Sequence, residues 1–452
     1  MSVTYLFYDI ETTGLNKCFD QILQFAAIRT DQAFNELEHY DIRIKLRSDI
    51  IPSPRAVITH NIPIENMQNG ECEYEAVQKI HKLLNYPGTI SLGYNTLNFD
   101  DEFLRFAFYR NLLSPYTHQY ANGCGRMDLF PMATMFFLYK NEALKWPVID
   151  AKTSLKLEYL NEVNQLTAGD AHDAMVDAEI TLALAKRFAE YSEMWNYLCT
   201  YFIKKNDLAR IDKLTEAIIV DSVFGVANNY QLPVQFLGLH NHYKNQSLWL
   251  RLDTVELTKT TIDSIPETTY VVHKKPGETG LLLPFIDRFK QYFNKERLEL
   301  VATNRQWLQS NPHLLEEIAY YYQEYKYPVI PEADIDTTLY YDGFWNDYEV
   351  ALCNKFQQAP LSEKAPLVEQ FPDSKLRSLA IRILARNYPD YLPECYSAEH
   401  NTNIDYQGHK RLTPDVALRE IIELQKSGKL TAKQTSLLVN LKEYIKHHAN
   451  QS

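Results

Sequence analysis

Residues 3–8 form an apolar run that ends in Asp9-Ile10-Glu11-Thr12-Thr13-Gly14. A short apolar run closed by turn residues reads as a buried strand. Side chains at i and i+2 of a strand share a face, so Asp9 and Glu11 project together from the strand end. Two carboxylates held that close repel unless a proton or a cation lies between them. The small residues behind them let a ligand approach the backbone. A chain that opens this way must build a sheet around a strand whose tip carries charge. Taken alone, an Asp-x-Glu pair marks a polar strand end more often than a site, so the remaining chain decides.

Two later stretches have the right character. Residues 90–95 are strand-like and run into Asn98-Phe99-Asp100-Asp101-Glu102, followed by a helical pattern through Phe103, Leu104, Phe106, Ala107 and Phe108. Acids suit the start of any helix, and the residues alone do not choose among Asp100, Asp101 and Glu102. Further on, Ala171-His172-Asp173-Ala174-Met175-Val176-Asp177 opens an apolar helix running to about Tyr191. Asp173 suits its N-cap, Asp177 lies one turn further in, and His172 sits in the preceding loop.

The joint pattern resembles the DEDDh exonuclease superfamily: Asp-x-Glu, then Asn-x-x-Asn-Phe-Asp about ninety residues later, then His-x-x-x-x-Asp on a helix. The resemblance implies an RNase H-like mixed sheet. It implies that Asp9, Glu11, Asp100 and Asp177 bind two divalent metal ions, Mg²⁺ with Mn²⁺ as a substitute, and that His172 is the general base. It selects Asp100 because that residue directly follows Phe99. The whole chain is similar to the bacterial exonuclease I family, through Gln24-Phe25-Ala26-Ala27-Ile28-Arg29-Thr30-Asp31, Gly93-Tyr94-Asn95, Phe99-Asp100-Asp101-Glu102, Phe108-Tyr109-Arg110-Asn111, Ala171-His172-Asp173-Ala174-Met175 and Tyr341-Asp342-Gly343-Phe344.

That similarity implies an α/β multidomain chain: a nuclease domain over 1–195, an SH3-like β-barrel domain over 196–343 and a helical domain over 344–452. It implies 3′→5′ degradation of single-stranded DNA to 5′-mononucleotides by a monomer that also docks the acidic C-terminal tail of single-stranded DNA-binding protein. The strand would be contacted by Glu11, Arg105, Tyr116, Tyr120 and Lys156. Tyr120 stands where the family has tryptophan and keeps a stacking face. Lys156 stands for an arginine and loses the bidentate fork, and Thr134 occupies a further arginine position. A shorter DEDDh ribonuclease or proofreading subunit would lack the C-terminal two thirds, and a non-catalytic single-strand clamp would not need all five catalytic positions.

Composition limits the alternatives. The 452 residues suit two or three domains, and 45% hydrophobic with 23% charged is ordinary for a globular chain. No run is long enough to span a membrane, no targeting segment is expected before the first strand, and six scattered cysteines predict neither a zinc site nor a disulfide framework. A reducing cytoplasm is the expected home. Net charge is −12, unusual for a nucleic-acid partner, but it is unevenly spread. Residues 1–200 carry 17 Lys and Arg against 26 acids, while residues 201–310 carry 14 against 12. Bound cations would cancel four of the acids, and a local groove need not follow the whole-chain balance. Strands followed by strand–helix alternation predict a mixed sheet with helices on its faces. Short strands from residue 218 predict a small barrel, residues 327–343 a linker, and the remainder helices. His60, without a partner at ligand spacing, reads as structural.

Overall fold

The computed structural model describes residues 3–168, 173–341, 343–372, 374–393, 396 and 402–449. His172 and Asp342, singled out above, lie outside them.

The first sheet is built from β1 (Thr4–Thr12), β2 (Ile22–Thr30), β3 (Glu36–Arg43), β4 (Thr89–Gly93) and β5 (Gly125–Asp128), in the order β3-β2-β1-β4-β5. The β1–β2 and β2–β3 pairs are antiparallel, whereas β1–β4 and β4–β5 are parallel. This is the mixed sheet expected of an RNase H-like domain. β1 alternates as its sequence requires. Leu6, Tyr8 and Ile10 pack with Phe103, Leu104 and Ala107 of the helix Asp100–Arg110 on one face, and Phe7 packs with Ala178 and Leu182 of the helix Ala174–Ala189 on the other. β2 is buried on both faces, as suits the strand between two partners. β3 is the largely exposed edge and carries charges along its length.

β5 is imposed by its neighbour rather than by its own sequence. Its four residues, Gly-Arg-Met-Asp, have no strand signature, and parallel pairing of Ile90–Gly93 with Gly125–Asp128 imposes the conformation. The helix proper is Leu129–Tyr139, capped by Asp128, whose carboxylate accepts the Phe130 amide at 2.9 Å. It is apolar nearly all round, so it has to be enclosed. It is enclosed by the first sheet, by the helix Ala174–Ala189 and by a second sheet, because Phe136, Phe188, Ile218, Val220, Leu281 and Leu283 share one core with Phe7 and Ile28.

After the small hairpin β6 (Val148–Ile149) and β7 (Lys152–Thr153), the second sheet comprises β8 (Glu216–Val220), β9 (Gln231–Leu239), β10 (Ser247–Arg251), β11 (Val271–Lys274) and β12 (Leu281–Pro284). Where a small barrel is expected, the described strands form a five-stranded antiparallel sheet in the order β11-β10-β9-β8-β12, with no pairing between the outer strands β11 and β12 among the described residues. The helical stretch near its end is two helices, Lys295–Ser310 and Pro312–Glu324, broken where Pro312 cannot continue the first.

The chain from residue 344 is helical as expected, and its helices dock on the first sheet's periphery. Phe356, Leu379 and Leu384 join Tyr74, Phe106 and Tyr109, while Ile421, Leu438 and Leu441 join Val57, Ile64 and Met67. The acidic stretch 327–343 is more than a linker. Asp334 and Asp336 are 1% exposed, and Arg382 (2.6 Å to Asp334) and Arg386 (2.5 Å to Asp336) hold them. His60 is buried, and its Nδ1 accepts the Ile62 amide at 3.0 Å. Five described cysteines are free. Among the described residues no helix is long and apolar enough to cross a membrane.

Candidate active site

Asp9 and Glu11 lie on the β1 face that meets the helix Ala174–Ala189, and Asp177 stands in that helix's first turn. The helix starts where the sequence says it should, because Asp173 caps it and accepts the Met175 amide at 3.0 Å. Carboxylate oxygens of Asp9, Glu11 and Asp177 come within 4.8 Å of one another. Asp100 opens its own helix from the other side of β1. It is 4% exposed, and its Oδ1 accepts the Ile10 amide at 3.2 Å. β1 thus runs between two helix N-termini, each presenting an acid at its tip, where the helix dipole favours negative charge.

The electrostatics describe a site made for a cation. Burial, with Asp100, Asp177 and Glu11 adding to it, pushes the Asp9 carboxyl well above the usual range. Burial does the same to Asp100, with Asp128 and Asp101 contributing. Glu11 is pushed up to about 9, by burial first and then by Asp177, Asp100 and Asp173. An all-oxygen donor set of converging, partly buried carboxylates fits a hard divalent ion. It does not resemble a Cys/His zinc cage.

The structure separates the three adjacent acids that the sequence left equivalent. Asp101 is paired to Arg105 (2.9 Å), to Arg126 and to His118 (2.9 Å), while Glu102 meets Arg105 and accepts the Tyr340 hydroxyl at 2.6 Å. Asp100 instead adds to the charge that raises the Asp9 carboxyl. The loop 94–99 that delivers it follows Gly93, where a Cβ would stand 2.6 Å from the Tyr8 carbonyl. It then passes through Asn95 at φ 66°. Asp128 was missed in the sequence. It is fully buried and accepts the Asn95 and Leu97 amides at 2.8 and 3.1 Å, which fixes that loop. Only its position at a strand end before an apolar helix could have signalled it.

The residues expected along a strand path are distributed unequally. Arg105 has a 4% exposed side chain, is committed to Asp101, Glu102 and Glu278, and lies over the Tyr116 ring. Tyr116 meets Phe344 edge-on at 5.4 Å, and Phe344 is 83% exposed. Tyr120 is 67% exposed. Lys156 is exposed beside Glu158 at 3.4 Å, on a cavity of about 450 Å³ lined by Phe130, Ile149, Tyr159 and Tyr230. Thr134 is buried in its helix and donates to the Phe130 carbonyl at 3.0 Å, so it presents nothing to solvent.

The Exonuclease family model matches residues 6–185, and that of the Exonuclease I C-terminal domain matches residues 333–448. Exodeoxyribonuclease I of Escherichia coli (strain K12) is 29% identical over 427 residues, covering 89% of this chain and 90% of the relative. Among solved structures, E. coli Exonuclease I in complex with a 5cy-dT13 oligonucleotide superposes with a TM-score of 0.86 at 26% identity, over 99% of this chain and all of that one. The zinc-bound form of an E. coli ExoI–ssDNA complex gives 0.86 at 25%, with the same coverage. An SSB/Exonuclease I structure with the inhibitor CFAM gives 0.83 at 25%, again with that coverage. Sequence matches at both ends of the chain and a structural match along its whole length lead to one conclusion: the chain is similar to exonuclease I from end to end.

Proposed function

We propose that this chain hydrolyses single-stranded DNA from its 3′ end, releasing 5′-mononucleotides. The observation that carries the reading is the convergence of Asp9, Glu11 and Asp177 within 4.8 Å, with Asp100 against β1. These four acids would hold two Mg²⁺ ions, with Mn²⁺ able to replace them. Bound there, such ions would lower the pKa of a water and offset charge on the leaving oxygen.

The chain's own groups supply the rest. Asp9 and Glu11 share one strand face, so the cage needs no loop to assemble them. Glu11, at the strand tip and partly exposed, also faces the terminal nucleotide. His172, just ahead of Asp173 in the sequence, takes the proton from water, a task that suits the histidine side chain near neutrality. Tyr116 and Tyr120 offer faces for bases, Lys156 offers a cation to a phosphate, and Arg105 stiffens the wall behind Tyr116. Single-stranded DNA-binding protein is the expected partner, docking by its acidic tail, and a monomer suffices for the chemistry.

The test is release of mononucleotides from a 5′-labelled single strand, with Mg²⁺, with Mn²⁺ and with chelator. A ladder shortening from the 3′ end only with divalent ions is expected. Activity in chelator, or a preference for duplex, would overturn the reading.

A further inference from the structure

The loop 94–99 is held from two sides. On the nuclease side Asp128 takes two of its amides, and the Lys17 ammonium donates to the Asn98 carbonyl at 2.6 Å. From the other side the turn between β11 and β12 reaches across. Thr279 donates to Asn98 Oδ1 at 3.4 Å, and the Glu278 carboxylate meets Arg126 at 3.1 Å and Arg105 at 3.4 Å. Each arginine is a fork with one arm on Glu278 and another on an acid at the start of the Asp100 helix. Arg126 uses its second arm for Asp101, and Arg105 spans Asp101 and Glu102. Asp101, the residue after Asp100, also donates its amide to the Thr96 carbonyl at 2.8 Å, which closes the loop on itself.

The turn that presents Glu278 is rigid. Lys274 is 1% exposed, and its ammonium donates to Asp207 at 2.6 Å and to the carbonyls of Lys275 and Glu278 at 2.8 and 2.9 Å. Gly277, at φ +79°, donates its amide to the same Asp207 at 2.8 Å. A buried ion pair with every ammonium proton used fixes the turn, and the turn fixes both forks.

We infer that Glu278, assisted by Thr279, is a positioning residue for Asp100: the second sheet takes part in shaping the metal cage. The inference rests on the proposed function of that cage. Partners that orient metal ligands are worth about 10–100-fold in metal affinity or activity.

The experiment uses the full chain with Glu278→Ala, Glu278→Gln and Thr279→Val. Mn²⁺ binding is measured by titration calorimetry without DNA, and kcat and KM are measured on a short single strand. Glu278→Ala should weaken Mn²⁺ binding and lower kcat, each by about tenfold, and leave KM within about twofold. Glu278→Gln, which keeps an acceptor for the forks, should recover part of both, and Thr279→Val should shift both slightly in the same direction. Should Glu278→Ala fail to fold, the other two variants decide. Wild-type Mn²⁺ affinity in folded Glu278 variants would overturn the inference. So would a raised KM with unchanged kcat, which would make Glu278 a strand contact. A wild-type chain that binds Mn²⁺ but releases no nucleotide would end the functional reading, while the calorimetry would still judge Glu278.

Discussion

Glu73 offers a test of how the C-terminal helices are attached. It is 2% exposed and bridges Arg47 at 2.8 Å and Arg110 at 2.6 Å. Arg47 also pairs with Asp49, which reaches Arg386 at 3.4 Å and Arg411 at 3.3 Å in the C-terminal part of the chain. Burial would raise the Glu73 carboxyl, but Arg110 and Arg47 override it and hold it at about 2, against an ordinary 4.5. A depression of that size corresponds to about 3 kcal/mol. Glu73→Ala should cost somewhat more, roughly 3–5 kcal/mol, because it leaves a buried guanidinium uncompensated. Arg47 keeps Asp49, whereas among the described residues Arg110 retains only the Cys18 carbonyl at 3.4 Å as a hydrogen-bond partner outside Glu73, so the loss falls on Arg110. Because the folded pKa is depressed, this stability is present above the unfolded value near 4.5 and is lost as pH falls toward 2. Urea unfolding followed by far-UV circular dichroism, at pH 7 and pH 4, measures it. Wild type should lose part of the Glu73 contribution by pH 4, and Glu73→Ala should show none of that component. A destabilisation below about 1 kcal/mol with an unchanged urea slope would refute the reasoning and show the pair to be screened by water. Glu73→Met with Arg110→Met should restore much of the loss, as an apolar replacement of a buried pair does.

Further outcomes follow from the site. Asp9→Ala and Asp177→Ala should each abolish nucleotide release with an unchanged circular dichroism spectrum, and near wild-type turnover with Mg²⁺ in either would sink the metal assignment. His172→Ala should lower kcat by about 10²–10⁴-fold and flatten the rise in rate through pH 6–7, with single-strand affinity changing far less. Poor binding with normal turnover at saturation would make it a contact instead. Tyr120→Ala should weaken oligonucleotide binding by about 1–3 kcal/mol; no change in a fluorescence anisotropy titration would remove it from the path. Lys156→Ala should reduce the salt dependence of binding by about one phosphate contact, which anisotropy across a salt series reads directly.

Much of the site could be read along the chain because its parts obey local rules. Asp9 and Glu11 share a face through strand periodicity, and Asp173 caps its helix through a preference visible in sequence. The choice of Asp100 over Asp101 was different. It needed the family pattern, because what separates them is the arginine forks of Arg105 and Arg126 and the distant Glu278. Pairings between residues more than 150 positions apart leave no periodicity. The same holds for Asp334 and Asp336, whose arginines come from a later helix, so the stretch read as a linker. β5 was invisible for a related reason, since its strand state is imposed by a neighbour. The family resemblance marks Arg105 as a strand contact, and only the fold reveals how completely its fork is engaged.

The core shared by Phe7, Ile28, Ile218, Val220, Leu281 and Leu283 has a consequence for synthesis. The helix Ala174–Ala189 covers the first sheet, but the far side of the apolar helix Leu129–Tyr139 is not sealed until β8 and β12 follow, the latter roughly 145 residues later. At about 5–20 residues per second that is on the order of tens of seconds. A chain stopped near Tyr191 leaves that side of the helix Leu129–Tyr139 open and should be retained by chaperones or aggregate. The cover of the nuclease helices is complete only when more than half of the polypeptide has emerged.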